Sequence, residues 1–227
     1  LIILDEAPVY NSSHLFGFFS IFNADAVKDV KLFKGGMPAN YGGRLSSVLD
    51  IRQKEGNSKK FSANGGIGLL SSRLTLEGPI VKDKVNFMLA GRRSYFDLFF
   101  PLFDVPELNE SIAYFYDFNA KLNAKVSKKD KIYLSAYFGR DQFSAAELFK
   151  FGWGNWTSTL RWNRVISPKW FFNASAVYSD YKYQLGADGT TPFEWDSRIR
   201  NLVQNATWTY YWSNAHTIEF GIQNTYY

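Results

Sequence analysis

Tyr114-Phe115-Tyr116-Asp117-Phe118-Asn119-Ala120-Lys121-Leu122-Asn123-Ala124-Lys125-Val126 alternates almost without a break. In an extended chain Tyr114, Tyr116, Phe118, Ala120, Leu122, Ala124 and Val126 share one face. Asp117, Asn119, Lys121, Asn123 and Lys125 share the other. A helical period would mix the two sets; a period of two separates them, so the stretch reads as a strand. The pattern recurs. Ile132, Leu134, Ala136 and Phe138 alternate with Tyr133, Ser135, Tyr137 and Gly139, and Trp156, Ser158, Leu160 and Trp162 with Thr157, Thr159, Arg161 and Asn163.

Working outward, short turns at residues 81–84, 127–130, 166–169 and 212–215 alternate with longer irregular stretches near 96–113, 141–152 and 184–196. One end of the sheet is thus plain and the other elaborate. Four hairpins after residue 61 give about eight strands, each about 9–11 residues or more, the length that crosses a bilayer at a tilt. A soluble barrel or sandwich would turn its apolar faces inward, whereas a membrane barrel turns them to lipid. The run Asp117 to Lys125 suits a watery lumen. Aromatic residues gather near strand ends, as in Trp170-Phe171-Phe172 and Trp208 to Trp212, where a membrane interface holds amphipathic rings. The membrane barrel is the favoured reading.

Composition agrees. Of 227 residues, 19% are aromatic, yet no segment reaches the apolar length of a membrane helix. There is no cysteine, so disulfide scaffolds and thiolate chemistry are excluded, and only His14 and His216 could serve a histidine-based site. A net charge of +5 is a weak signal for nucleic acid, which is not expected as a partner. No catalytic set, metal-ligand cluster or cofactor motif stands out, so the chain is not expected to be an enzyme. It opens on Leu1-Ile2-Ile3-Leu4-Asp5 and closes on Asn224-Thr225-Tyr226-Tyr227, both mid-pattern, as an internal piece of a longer protein would.

Residues 1–56 are written differently, with short apolar runs broken by Gly, Pro and Asn, and residues 57–61 read as a linker. Lys34-Gly35-Gly36-Met37-Pro38-Ala39-Asn40-Tyr41-Gly42-Gly43-Arg44 lacks the spacing of a phosphate loop or a dinucleotide fingerprint. Together with its surroundings it resembles something else. Leu1 to Asn11 resembles the I-L-D-G-x-P-V-Y segment of the plug of TonB-dependent outer-membrane receptors. Residues 26–36 resemble the plug strand I-x-x-I-x-V-x-K-G, and residues 38–51 its continuation P-A-x-Y-G-G-R-x-x-x-V-x-x-I. Leu76-Glu77-Gly78-Pro79-Ile80 resembles the end of the family's first barrel strand. The likeness is greatest to members from Bacteroidetes-type bacteria. Glu6 departs from the pattern, standing where glycine is common.

The resemblance implies an all-β membrane protein of the bacterial outer membrane, a barrel of about 22 antiparallel strands with an N-terminal plug in its lumen. Residues 1–56 would be the C-terminal half of the plug, 57–61 a linker and 62–227 the first eight or so transmembrane strands. It implies import of a scarce solute: siderophore, glycan, peptide or cobalamin. Implied partners are outer-membrane lipid, a periplasmic energy-coupling protein engaged by a segment outside this chain, and a surface lipoprotein lid. The alternative is a transporter-like barrel serving as a scaffold subunit of a larger assembly.

Three sets of residues stand out. Lys34, Gly35, Gly36, Tyr41, Gly42, Gly43 and Arg44 form the expected plug hinge, with glycines where a Cβ would clash and Arg44 seeking a carboxylate or carbonyl. Arg92 faces the lumen by alternation and can meet the plug or remain a rim charge; Arg93 faces lipid at headgroup level. Phe99, Phe100 and Phe103 lie in an apolar, acidic loop that must bury rings on the barrel itself, a partner or a ligand. Asp5-Glu6 reads as a turn and His14 as a cap or loop residue.

Overall fold

The computed structural model describes residues 1–42, 46–102, 111–145, 149–188 and 192–227. The N-terminal part forms a small mixed sheet of β1 (Ile2–Leu4), β2 (Ala7–Pro8), β5 (Val27–Phe33) and β6 (Val48–Gln53), ordered β2-β1-β6-β5. A hairpin of β3 (Ser13–His14) and β4 (Phe19–Ser20) stands beside it. A parallel pairing of β1 with β6 ties the ends of this part together.

From residue 62 onward there is one antiparallel sheet in strict chain order. Its strands are β7 (Ser62–Ile67), β8 (Ser71–Val81), β9 (Val85–Ser94), β10 (Ile112–Lys125), β11 (Asp130–Ala145), β12 (Phe149–Ser167), β13 (Trp170–Ala187), β14 (Phe193–Tyr211) and β15 (Thr217–Tyr226). The four expected short turns join β8–β9, β10–β11, β12–β13 and β14–β15.

Two expectations need correction. There are nine strands where about eight were expected, because β7 carries adjacent glycines, Gly65 and Gly66, that blur its alternation. A turn closed by the Gly68 N–H on Ser71 O (2.9 Å) joins it to β8. Leu76 to Ile80 therefore lies in the second strand of this sheet, not the first. The stretches near 141–152 and 184–196 are also mostly strand, for pairing continues through Phe143↔Phe151 and Gln184↔Asp196.

The distribution of side chains separates the two barrel readings. Asp117, Asn119, Lys121 and Asn123 on β10, Thr157 and Thr159 on β12, and Ser179 on β13 are buried, while Leu134, Trp156 and Leu160 are about half exposed. A soluble sheet would show the reverse. The exposed face is apolar between two aromatic rows. Near the short turns Trp162 packs edge-on to Phe172 (5.5 Å), and Phe172 meets Trp208 (4.9 Å). Phe138 and Trp156, paired across β11 and β12, mark the other row. From Ile132 to Phe138 is six residues, about 20 Å along a strand, which suits the lipid-facing band of an outer-membrane barrel.

The polar face is buried because the small sheet lies against it. Leu4, Val9, Ile21 and Ile51 pack around Tyr137 of β11, Ala7 packs on Val177 and Val203, and Ala26 on Met88 and Ala90. Each cluster mixes residues from both parts, so the small sheet shares its core with the wall.

Candidate functional site

The surface between the small sheet and the wall concentrates the buried charge. Asp5 and Glu6 form the turn between β1 and β2, both in the left-handed region at φ 46° and 75°. The turn directs them at different cations. Lys121 Nζ donates to both Asp5 carboxylate oxygens (3.0 and 2.8 Å) and to Gln53 O (3.1 Å). Glu6 Oε1 accepts from Arg52 (3.2 Å) within the small sheet and from Arg161 (3.3 Å) on β12. Burial raises the Glu6 pKa, but a hydrogen bond from Ser175 and the charges of Arg52 and Arg161 outweigh it, so the carboxyl titrates below its usual range.

A second cluster surrounds His14, which is buried in β3. Its Nδ1 lies 2.5 Å from Asp141 Oδ2, its Nε2 lies 3.4 Å from Asp117 Oδ2, and its ring stacks on Phe115 with centroids 4.2 Å apart. Asp141 also accepts the Leu15 N–H (2.8 Å), at a residue with φ 46°. Arg92 donates to Asp117 Oδ2 from Nε (2.8 Å) and from a terminal nitrogen (2.6 Å), and to Ser20 O (2.7 Å). Two carboxylates face one guanidinium and one imidazole, so this set is neutral only when His14 is protonated. Burial lowers the His14 pKa, yet Asp117 and Asp141 more than offset it and raise the value overall.

A third clamp holds the chain leaving the small sheet. The Asn86 side-chain amide donates to Glu55 O (2.5 Å) and Gly56 O (3.1 Å), and that of Asn123 also donates to Glu55 O. Gly56 has φ +82°, and a Cβ there would stand 2.2 Å from Phe87 O. Farther along, Ser179 donates to Pro8 O and Asn201 to the Tyr10 hydroxyl, each at 2.6 Å.

Against these clamps the expected sites fall as follows. Lys34, Gly35, Gly36 and Gly42 are exposed. A Cβ at Gly35 or Gly36 would meet nothing, and one at Gly42 only Ala39 O at 3.7 Å, so the expected clash does not exist at these positions. Of these three, Gly36 alone has a conformational demand, at φ +57°. Tyr41 donates to Asp50 Oδ2 (3.0 Å) and packs on Phe33; burial, then the Asp50 charge, pushes its hydroxyl up to about 12. Gly43 and Arg44 lie outside the described residues, as does Phe103. Phe99 and Phe100 sit in a 3-10 segment (Phe96–Leu102) that packs on β10, and Phe100 is buried edge-on to Phe96. Arg92 is the expected residue that enters a clamp. Asp5 and Glu6 form the expected turn and are anchors as well, and His14, expected as a cap or loop residue, anchors from β3. Among the described residues no cluster of three or more His, Asp or Glu could hold a metal ion.

No protein-family model matches the chain, and no curated protein matches it significantly. Solved structures do resemble it. A mutant of the ferric enterobactin receptor of Pseudomonas aeruginosa superimposes with a TM-score of 0.70 at 14% identity, covering 99% of this chain and 40% of that one. The siderophore receptor PirA of Acinetobacter baumannii gives 0.70 at 13%, covering 98% and 39%. The copper transporter OprC gives 0.71 at 12%, covering 98% and 37%. Over the part it covers, this chain has the fold of the TonB-dependent outer-membrane receptors. It spans about two fifths of the length of the structures it matches.

Proposed function

We propose that this chain is part of a TonB-dependent transporter of the bacterial outer membrane that imports a scarce solute. Residues 1–56 act as plug, 57–61 as linker and 62–227 as barrel wall. A solute binds at the long-loop end, and a periplasmic energy-coupling protein, engaged by a segment outside this chain, drives the plug to release it. One observation carries the reading: the small sheet is held to the wall by separate ion pairs and amide-to-carbonyl hydrogen bonds with small shared apolar clusters between them. Such contacts can part and re-form in a wet lumen at lower cost than a large dry core, because water replaces each lost polar partner. The solved relatives of the same fold bear names of siderophore receptors and a copper transporter, which supports a transport role.

Deleting the gene tests it. Uptake of one solute among siderophores, glycans, peptides and cobalamins should disappear while envelope assembly stays intact. Unchanged uptake of all four classes together with a defective envelope would replace transport by the scaffold role.

A further inference from the structure

β12, β13 and β14 turn their odd-numbered residues toward the lumen, as Arg161, Ser179 and Asn201 show by meeting Glu6, Pro8 O and Tyr10. Among the described residues of these three strands the inward face carries one charge, Arg161, and Glu6 takes it up at 3.3 Å. Uncharged polar, aromatic and aliphatic residues fill the rest. A wall that only had to stay wet would do as well with Lys, Asp or Glu, which β10 uses at Asp117 and Lys121.

Two hollows open on this face. One, of about 510 Å³, lies between Glu6 and Arg52 of the small sheet and Asn205 and Thr207 of the wall. The other, of about 370 Å³, runs past Asn163 and Phe171 to the short turns. Asn173 and Thr209 line both, so the hollows adjoin. Each is large enough for a small-molecule site.

Pairing sets Asn163 opposite Asn173 and Asn173 opposite Thr207, in one row across three strands. Strands about 4.8 Å apart spread these groups over about 10 Å, roughly two sugar rings. Phe171 and Tyr211, edge-on at 5.5 Å, stand on the turn side of the row. Asn163 Oδ1 and Asn173 Oδ1 are buried, yet neither accepts a hydrogen bond from a described residue. Buried acceptors are nearly always paired, so the row has two acceptors left for a bound molecule. Charges border the hollows without entering the row: Lys128, Lys129, Lys131 and Arg164 at the short-turn mouth, and Glu219 on β15.

Carboxamides and hydroxyls each donate and accept, which matches a solute whose own polar groups are hydroxyls. The rings of Phe171 and Tyr211 offer apolar faces to its C–H surface. An anion would find no cation in the row, and a cation no carboxylate. We propose that Asn163, Asn173 and Thr207, with Phe171 and Tyr211, form a station for a neutral, hydroxyl-rich solute of the saccharide class, between plug and wall on the short-turn side. The inference deepens the import reading and rests on it for the route by which the solute arrives.

The test titrates the full-length protein, in detergent micelles, with three neutral hexasaccharides (maltohexaose, cellohexaose and mannohexaose) and reads binding by calorimetry. At least one should bind saturably. A hydrogen bond to a carboxamide is worth about fivefold in Kd, so N163A/N173A should bind that sugar about 25-fold more weakly. Phe171→Ala should also lose affinity, whereas Phe171→Trp, which keeps a ring, should retain it and so separates a lost contact from a lost fold. K128Q/K129Q, which discharges the mouth, should match the unmodified protein. No saturable binding of any of the three sugars would overturn the proposal, as would equal binding by N163A/N173A and the unmodified protein, or an equal loss in K128Q/K129Q. Tighter binding of a galacturonate hexamer, with one carboxylate per ring, would also overturn it, by giving the site to the lysines at its mouth. Binding is read here without transport, so these outcomes stand apart from the uptake kept or lost on deleting the gene.

Discussion

Lys121→Met isolates one clamp. Lys121 and Asp5 are 4% exposed each, and their closest approach is 2.8 Å. At that distance, with an effective dielectric constant near 20, the attraction is about 6 kcal/mol. Dehydrating both charges cancels much of it, so the intact pair adds little net stability. Cutting one partner is different, because the other stays buried and unpaired, at a cost of about 3–5 kcal/mol. Lys121→Met strands the Asp5 carboxylate. Asp5→Asn strands the ammonium, yet keeps an acceptor for the Gln53 N–H (3.2 Å) and tolerates the left-handed backbone at φ 46°. Either change should raise the plug-released fraction by about 10² to 10⁴. The double variant, having no stranded charge, should recover most of the loss. Planar-bilayer recordings of the full-length protein during a urea ramp would read the open fraction directly. Single variants within threefold of the unmodified protein, or a double variant no better than either, would refute the reasoning.

Other clamps yield separate expectations. Gly56→Val should free the tether at Asn86 and Asn123, because no β-branched residue holds φ +82° with its Cβ 2.2 Å from Phe87 O; limited proteolysis should then cut between residues 53 and 62, where the unmodified protein resists. Because docking raises the His14 pKa, its contribution is complete below about 6.5, the free value, and fades as pH climbs through the docked value. Plug release should therefore increase on the alkaline side of 6.5, and His14→Gln should flatten that rise in the same recordings. Glu6→Gly should relieve about 1 kcal/mol of left-handed strain but leave Arg52 and Arg161 without their shared carboxylate. Net loosening of the plug is expected, and tighter docking would show that the strain outweighs the pairs.

Much of the barrel was legible because a strand writes its two environments into alternate residues. Asp117 to Lys125 announced a wet face and Tyr114 to Val126 a greasy one, and that local record needs no partner to be read. β7 escaped because Gly65 and Gly66 leave no side chains to alternate, and the rims were under-read because aromatic and polar residues mix where strands leave the apolar band. The clamps escaped for another reason. His14 meets Asp141 across 127 residues of chain and Asp5 meets Lys121 across 116, so neither spacing carries a motif. One signal was present. Glutamate at position 6, where the motif it resembles has glycine, sits in a strained backbone conformation at φ 75°, and strain persists only where the surroundings hold it. Arg52 and Arg161 are those surroundings. The departure from the family pattern thus marks an anchor, and the glycines that match the pattern, Gly35 and Gly42, touch little. The residue that broke the motif carried more structural information than those that kept it.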